Sequence, residues 1–169
     1  MMKYALGVHS LSKLSFRLEK IKKLISADST IVWDLCCDHG LIGKSLMDKK
    51  KKVYFVDIVP HIIENLKNSI DKSNCEFQAR DATKIEIENR PDESIVMAGV
   101  GGWTCIKILK SLKQTHSEIK SEFILAPQKN LLTVKEYLLD NSFIIISEDF
   151  IQDKKNYYNI LKVKEGNYA

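Results

Sequence analysis

Apolar residues recur at two periods along this chain of 169 residues. Leu11, Leu14, Leu18, Ile21 and Ile25 follow the spacing of one helix face, and Ser10 or Ser12 stands where a side-chain oxygen can cap the start. This predicts an N-terminal helical segment within residues 1–28. Beyond it, short runs rich in β-branched and aromatic residues predict strands at Ile31–Leu35, Val53–Val56, Cys75–Ala79, Ser94–Ala98 and Glu122–Ala126. Helical patterns fit between them at Leu41–Met47, Pro60–Ile70, Trp103–Leu112 and Leu131–Leu139. Such alternation predicts βαβ units around a parallel sheet with helices on both faces. The tail departs from it. Phe143–Ile151 and Tyr157–Val163 are separated only by residues 152–156, so two antiparallel strands joined as a hairpin are expected, making seven strands in all.

The length suits one domain spanning 1–169, with the N-terminal segment packed on it. A content of 44% hydrophobic and 28% charged residues is that of a soluble globular protein. The opening residues lack the apolar core of a signal peptide, and no stretch is long enough to span a bilayer, so a cytoplasmic protein with no membrane partner is expected. Cys36, Cys37, Cys75 and Cys105 form no CxxC pair and no zinc-type spacing, which predicts free thiols and no metal site. A net charge of +4 permits a phosphate-bearing partner, but a lysine-rich solvated surface explains it equally. Lys49 to Lys52 reads as a solvated helix end. Arginine is scarce, so Arg17, Arg80 and Arg90 stand out as rigid donor forks.

In an open parallel sheet, ligands lie across the carboxyl ends of the strands. Asp34 closes the first predicted strand, Asp57 the second, and Asp81 follows the third, while Gly99-Val100-Gly101-Gly102 follows the fourth. The first turn, DLCCDHG from Asp34 to Gly40, is the kind of small-residue turn that holds a nucleotide. It places Asp38 and His39 where a dinucleotide site would have GxGxxG. A carboxylate there repels a pyrophosphate. S-adenosylmethionine has no phosphate and carries a sulfonium and an ammonium, which suit an acidic turn built from Asp34, Cys36 and Gly40. Asp57, with Ile58, then suits the ribose hydroxyls, although VDIVP also reads as a helix cap. Asp81, with Ala82, suits the adenine amino group, although RDATK also reads as an ordinary turn. Gly99, Val100 and Gly101 let backbone approach a ligand without adding an acid or base.

Five βα units and a terminal hairpin resemble class I methyltransferases, a Rossmann-like fold with a mainly parallel seven-stranded sheet. The segments LSFRLEKI, DLCCDHG, AGVGG followed by CIKIL, ILAPQ and KNYYNIL together resemble the bacterial tRNA (adenine(22)-N1)-methyltransferase family. That family usually shows SxRL, DIGxDHAYLP, GMGG, a Pro-Gln-like turn and a Tyr-rich closing strand. This chain departs from the pattern at Cys36, in place of the first glycine, at Val100, in place of methionine, and at Gly43, where proline is common. QARDATK keeps only the acid of the family's GDGL run. Family members continue into a C-terminal helical domain implicated in gripping tRNA, whereas this sequence ends at Ala169, so the resemblance supports cofactor and chemistry more strongly than tRNA as the partner.

The resemblance implies S-adenosylmethionine-dependent methylation of adenine N1 in tRNA. That atom has a free lone pair, so the task is positioning and charge stabilisation. Asp38 is the candidate for the exocyclic amino group, and His39 for orienting Asp38 or touching the base; a helix-start role is the plainer reading of His39. Arg17 is a candidate for the active site or an RNA phosphate, whereas Lys13 and Lys20 read as solvated charge. Trp103 suits either base stacking or the core, and Gln128 either a base edge or a turn. Of Tyr157 and Tyr158, at most one should face the sheet core. The vicinal Cys36 and Cys37 read as packing residues rather than a redox pair. Rival readings are a methyltransferase for another RNA or small substrate and a non-catalytic S-adenosylmethionine-binding protein, with a dinucleotide oxidoreductase disfavoured by Asp38.

Overall fold

A computed structural model describes residues 14–47, 51–71 and 73–166. The elements run α1 (Phe16–Leu24), β1 (Ile31–Leu35), α2 (Leu41–Lys44), β2 (Lys52–Asp57), α3 (Pro60–Ser69), β3 (Cys75–Ala79), a 3₁₀ turn (Ala82–Lys84), β4 (Glu93–Ala98), α4 (Gly102–Thr115), β5 (Glu122–Ala126), α5 (Leu131–Asp140), β6 (Phe143–Asp153) and β7 (Asn156–Glu165). They form one seven-stranded sheet in the order β3-β2-β1-β4-β5-β7-β6. The first five strands pair in parallel, and β7 enters antiparallel between β5 and β6. Connections reverse direction between β1 and β4, the place where an open sheet leaves a crevice.

Residues that alternate along the strands divide into two apolar layers. Trp33, Leu35, Val56, Met97 and Leu125 pack with α4 and α5 on one face, and Val32, Phe55, Val96 and Ile124 pack with α1, α2 and α3 on the other. Trp33 stacks on Tyr54 with centroids 3.8 Å apart, and its indole N–H donates to Glu93 at 2.7 Å, so the large ring is buried without an orphaned donor. Gly102 is fixed by packing. A Cβ there would lie 2.8 Å from the carbonyl oxygens of Lys129 and Asn130, and its N–H donates to Lys129.

The amino ends of β4 and β5 sit on a buried polar network. Glu122 accepts from Ser26, Ser94 and Lys162, and Glu93 from Trp33, Ser121 and the backbone of Glu88. Lys51 corrects the expected solvated lysine patch: it is buried, and its ammonium donates to the carbonyls of Ser26, Ala27 and Ser29. Lys52 belongs to β2, and Lys49 and Lys50 lie outside the described residues.

Other boundaries shift for local reasons. The α1 cap is Ser15, whose hydroxyl accepts from Leu18 N–H; Ser10, Ser12, Leu11 and Lys13 lie outside the described residues. The second helix stops at Lys44 rather than Met47, because Ser45 and Leu46 turn back onto the carbonyls of Leu41, Ile42 and Gly43. The hairpin turn needs only Lys154 and Lys155, with Lys154 left-handed at φ 57°, so both strands run further than expected.

Candidate functional site

The first turn winds tightly because three of its residues are left-handed: Cys36 (φ 55°), Asp38 (φ 47°) and Gly40 (φ 61°). Its backbone is pinned to the neighbouring strand, with Cys37 N–H donating to the Val56 carbonyl at 3.1 Å and Asp38 N–H to Asp57 Oδ2 at 3.2 Å. Asp57 Oδ1 accepts from Val59 N–H at 3.0 Å, a local turn that leads into α3 without capping its first-turn amides, and each oxygen still has acceptor capacity. Gly43, at the position where proline is common in the family it resembles, donates its N–H to Asp34 Oδ2 at 2.9 Å. Proline has no such donor, and here the Phe55 ring fills the space a side chain at 43 would need.

Four acids follow the carboxyl edge in different states. Asp34 is 5% exposed and accepts one hydrogen bond; burial pushes its carboxyl up to about 7, against the Gly43 bond that favours the charged form. Asp81 caps the 3₁₀ turn through Oδ1, which accepts from both the N–H and the hydroxyl of Thr83. Those bonds hold it below the usual carboxylate range. Asp38 and His39 project into solvent, their side chains 69% and 80% exposed, with His39 Nε2 3.7 Å from Asp38 Oδ2.

Two clefts open along this edge and share Cys36. One, of about 200 Å³, lies beneath α1 and is lined by Arg17, Asp34, Asp38, His39, Gly99 and Gln128 among others. The other, of about 240 Å³, is lined by Asp57, Ile58, Asp81 and Ala82 with Arg80, Thr83, Thr104, Lys107 and Ile108. Ten of the thirteen residues anticipated for cofactor binding and catalysis therefore converge on the paired clefts, and Gln128 with them. Gly40, Val100 and Gly101 line neither: Gly40 shapes the turn, Val100 packs on the core and its carbonyl accepts from Gln128 N–H, and Gly101 caps α4. Thr104, Lys107 and Ile108 were not anticipated. Their signal was helical spacing, since positions 104, 107 and 108 share one face of the helix that follows GVGG.

Arg17 reaches the first cleft because the terminal hairpin seats α1. Its N–H donates to Asp153 at 3.2 Å and its guanidinium lies 4.7 Å from the centroid of the Tyr158 ring. Lys20, expected to be solvated charge, pairs with Asp149 at 2.8 Å. Tyr158 faces α1, whereas Tyr157 faces outward and stacks on Phe150. Trp103, at the start of α4, is 58% exposed and lines neither cleft, which excludes the core role left open for it. None of the four cysteines is in a disulfide among the described residues. Burial pushes the thiols of Cys36 and Cys105 up to about 11 and about 12, and that of Cys37 further up, opposite to what a redox pair needs. Among the described residues, no group of three or more His, Cys, Asp or Glu side chains is arranged for a metal ion, and no helix is long and apolar enough to cross a membrane.

Comparison with known proteins agrees with this geometry. The chain is 23% identical over 159 residues to the tRNA (adenine(22)-N(1))-methyltransferase of Bacillus subtilis, covering 91% of this chain and 66% of that protein. A Mycoplasma genitalium relative provisionally named a tRNA methyltransferase is 28% identical over 158 residues, covering 88% of this chain and 69% of its own length. The chain thus spans about two thirds of these relatives. The crystal structure of the B. subtilis enzyme superposes with a TM-score of 0.78 at 21% identity, over 92% of this chain and 68% of that one. The M. capricolum enzyme, solved with the cofactor product S-adenosyl-homocysteine, superposes with a TM-score of 0.74 at 25% identity, over 92% and 70%. The profile of the family described as "Methyltransferase domain" matches residues 14–161, and the chain belongs to that family.

Proposed function

We propose that this chain is an S-adenosylmethionine-dependent methyltransferase acting on N1 of an adenine in tRNA, at position 22, in the cytoplasm. The observation that carries the reading is the pair of clefts meeting at Cys36, with a carboxylate at each station along the edge. The donor set fits the cofactor from end to end. Asp57 retains acceptor sites for the ribose hydroxyls, Ile58 and Ala82 supply apolar contact for adenine, and Asp81 Oδ2 accepts no bond from the described residues and suits the adenine amino group. Asp34, Cys36 and the backbone at Gly99 suit the methionyl end, where positive charge favours an ionised Asp34.

When bound, the cofactor supplies an electrophilic methyl group, whose transfer to the N1 lone pair returns the S–C electron pair to sulfur and leaves the base cationic. The chain's own residues then have two tasks. They hold the adenine ring in line, for which Gln128 offers an amide to the base edge. They also stabilise the positive charge as it develops. Asp38 accepts from the exocyclic amino group, whose acidity rises on methylation, and takes its proton; His39 orients Asp38 or contacts the base. Arg17 meets an RNA phosphate at the mouth.

Calorimetry and turnover separate these roles. S-adenosylmethionine should bind and NAD should not. Asp38→Ala should keep the wild-type cofactor affinity while losing at least about 100-fold in kcat. Wild-type turnover in that variant would remove Asp38 from the mechanism, and failure to bind S-adenosylmethionine would sink the reading as a whole.

A further inference from the structure

A second depression adjoins the first cleft. Between α2 and α3 runs a groove of about 400 Å³ lined by Lys44, His61, Asn65 and Ser69, with Ile62 supplying apolar surface over the buried Leu66. At one end it is lined by Asp38 and His39, which also line the cleft beneath Arg17, so the two spaces adjoin at these two residues. His61, Asn65 and Ser69 recur every four residues on α3 and form one polar stripe along it. Lys44 faces the same groove from the end of α2.

The groove differs in character from the clefts it joins. The clefts carry Asp34, Asp57 and Asp81, whereas the groove's acid is Asp38 at the shared end. Among the described residues, the side chains of Lys44, His61 and Asn65 have no hydrogen-bond or ion-pair partner. An ammonium, an imidazole and an amide beside apolar surface match a phosphodiester and the sugar attached to it. The size suits one nucleotide of a single strand.

We infer that this groove holds the nucleotide next to the methylated adenine, with Lys44, His61 and Asn65 donating to its phosphate and the half-buried Ile62 packing on its sugar. The inference rests on the RNA-methylating reading of the adjoining cleft. It explains why Asp38 and His39 stand between the two spaces: a strand in the groove passes them before its next base enters the cleft. The groove thereby fixes which base is presented.

The test uses the full chain, S-adenosylmethionine and an unmodified tRNA transcript. Lys44→Gln should raise the KM for tRNA about three- to tenfold with kcat little changed, and should lower the slope of log affinity against log salt by about 0.7 to 0.9, the value of one phosphate contact. The paired change His61→Ala with Asn65→Ala should raise KM by a similar factor. Lys67→Gln, on α3 but outside the groove, should alter neither quantity. Unchanged affinity for S-adenosyl-homocysteine in each variant shows that the fold and the cofactor clefts survive. Methylation with KM and salt slope unaltered in the groove variants overturns the groove and leaves the proposed activity standing. Cofactor binding without methylation of any tRNA transcript overturns the tRNA reading, and the groove assignment with it.

Discussion

Asp34 is a buried carboxyl with one hydrogen bond, and its raised pKa of about 7 has a defined sign in stability. An unfolded aspartate loses its proton near pH 4. Between that value and about 7 the folded protein keeps a proton that the unfolded chain has released, so stability falls as pH rises through this window and levels off above it. The full span corresponds to at most on the order of 4 kcal/mol. In ligand-free protein, melting between pH 5 and 8 should show this decline, and Asp34→Asn should flatten it; an equal slope in both would place the titration elsewhere. At Cys36 the left-handed backbone strains any residue with a Cβ. Cys36→Gly should therefore stabilise the protein by about 1 kcal/mol in urea unfolding. The acids at strand ends were legible in the sequence because polar residues interrupt apolar runs there. Glu93 and Glu122 were not, since a buried acid at the start of a strand looks like an exposed one until Trp33, Ser94, Ser121 and Lys162 close around it.

Every strand and helix anticipated from periodicity within the described residues is present, and the terminal hairpin with them. Its role was not legible, because neither the position of β7 beside β5 nor the α1 contacts follow from local pattern. The hairpin seats α1 through Asp153, Tyr158 and Asp149, and Lys162 of β7 donates to the Leu24 carbonyl and to Ser26 while pairing with Glu122 at 3.0 Å. For Glu122, burial alone would raise the pKa, but the bonds from Ser94, Ser26 and Lys162 outweigh it and hold the carboxylate below its usual range. Removing one member leaves the others buried and unpaired. Glu122→Ala should cost about 3 kcal/mol in chemical denaturation. A loss below about 1 kcal/mol would mean that the network relaxes into solvent and does not hold α1.

Across the whole molecule the two edges of the sheet divide the work. At the amino edge, acids and serines satisfy one another and close the structure. At the carboxyl edge, Asp34, Asp57 and Asp81 accept mainly from backbone and from Thr83, which leaves acceptor capacity facing open clefts. The order β3-β2-β1-β4-β5 places the crevice between β1 and β4, where DLCCDHG and GVGG meet. That both segments lie at the carboxyl edge was legible, because each follows a predicted strand; the strand order that brings them together was not, because it does not follow from local pattern. The reach of Arg17 from α1 and the groove along α3 were not, because they depend on how helices sit on the sheet. Transfer of a methyl group from S-adenosylmethionine to adenine N1 would block base pairing at that atom. Incubating the protein with S-adenosylmethionine and unmodified tRNA, then mapping reverse-transcription stops, should give a new stop at adenine 22 that disappears without cofactor and in Asp38→Ala. Full read-through at that position, with S-adenosylmethionine bound to the protein, would overturn methylation of adenine 22 as its activity.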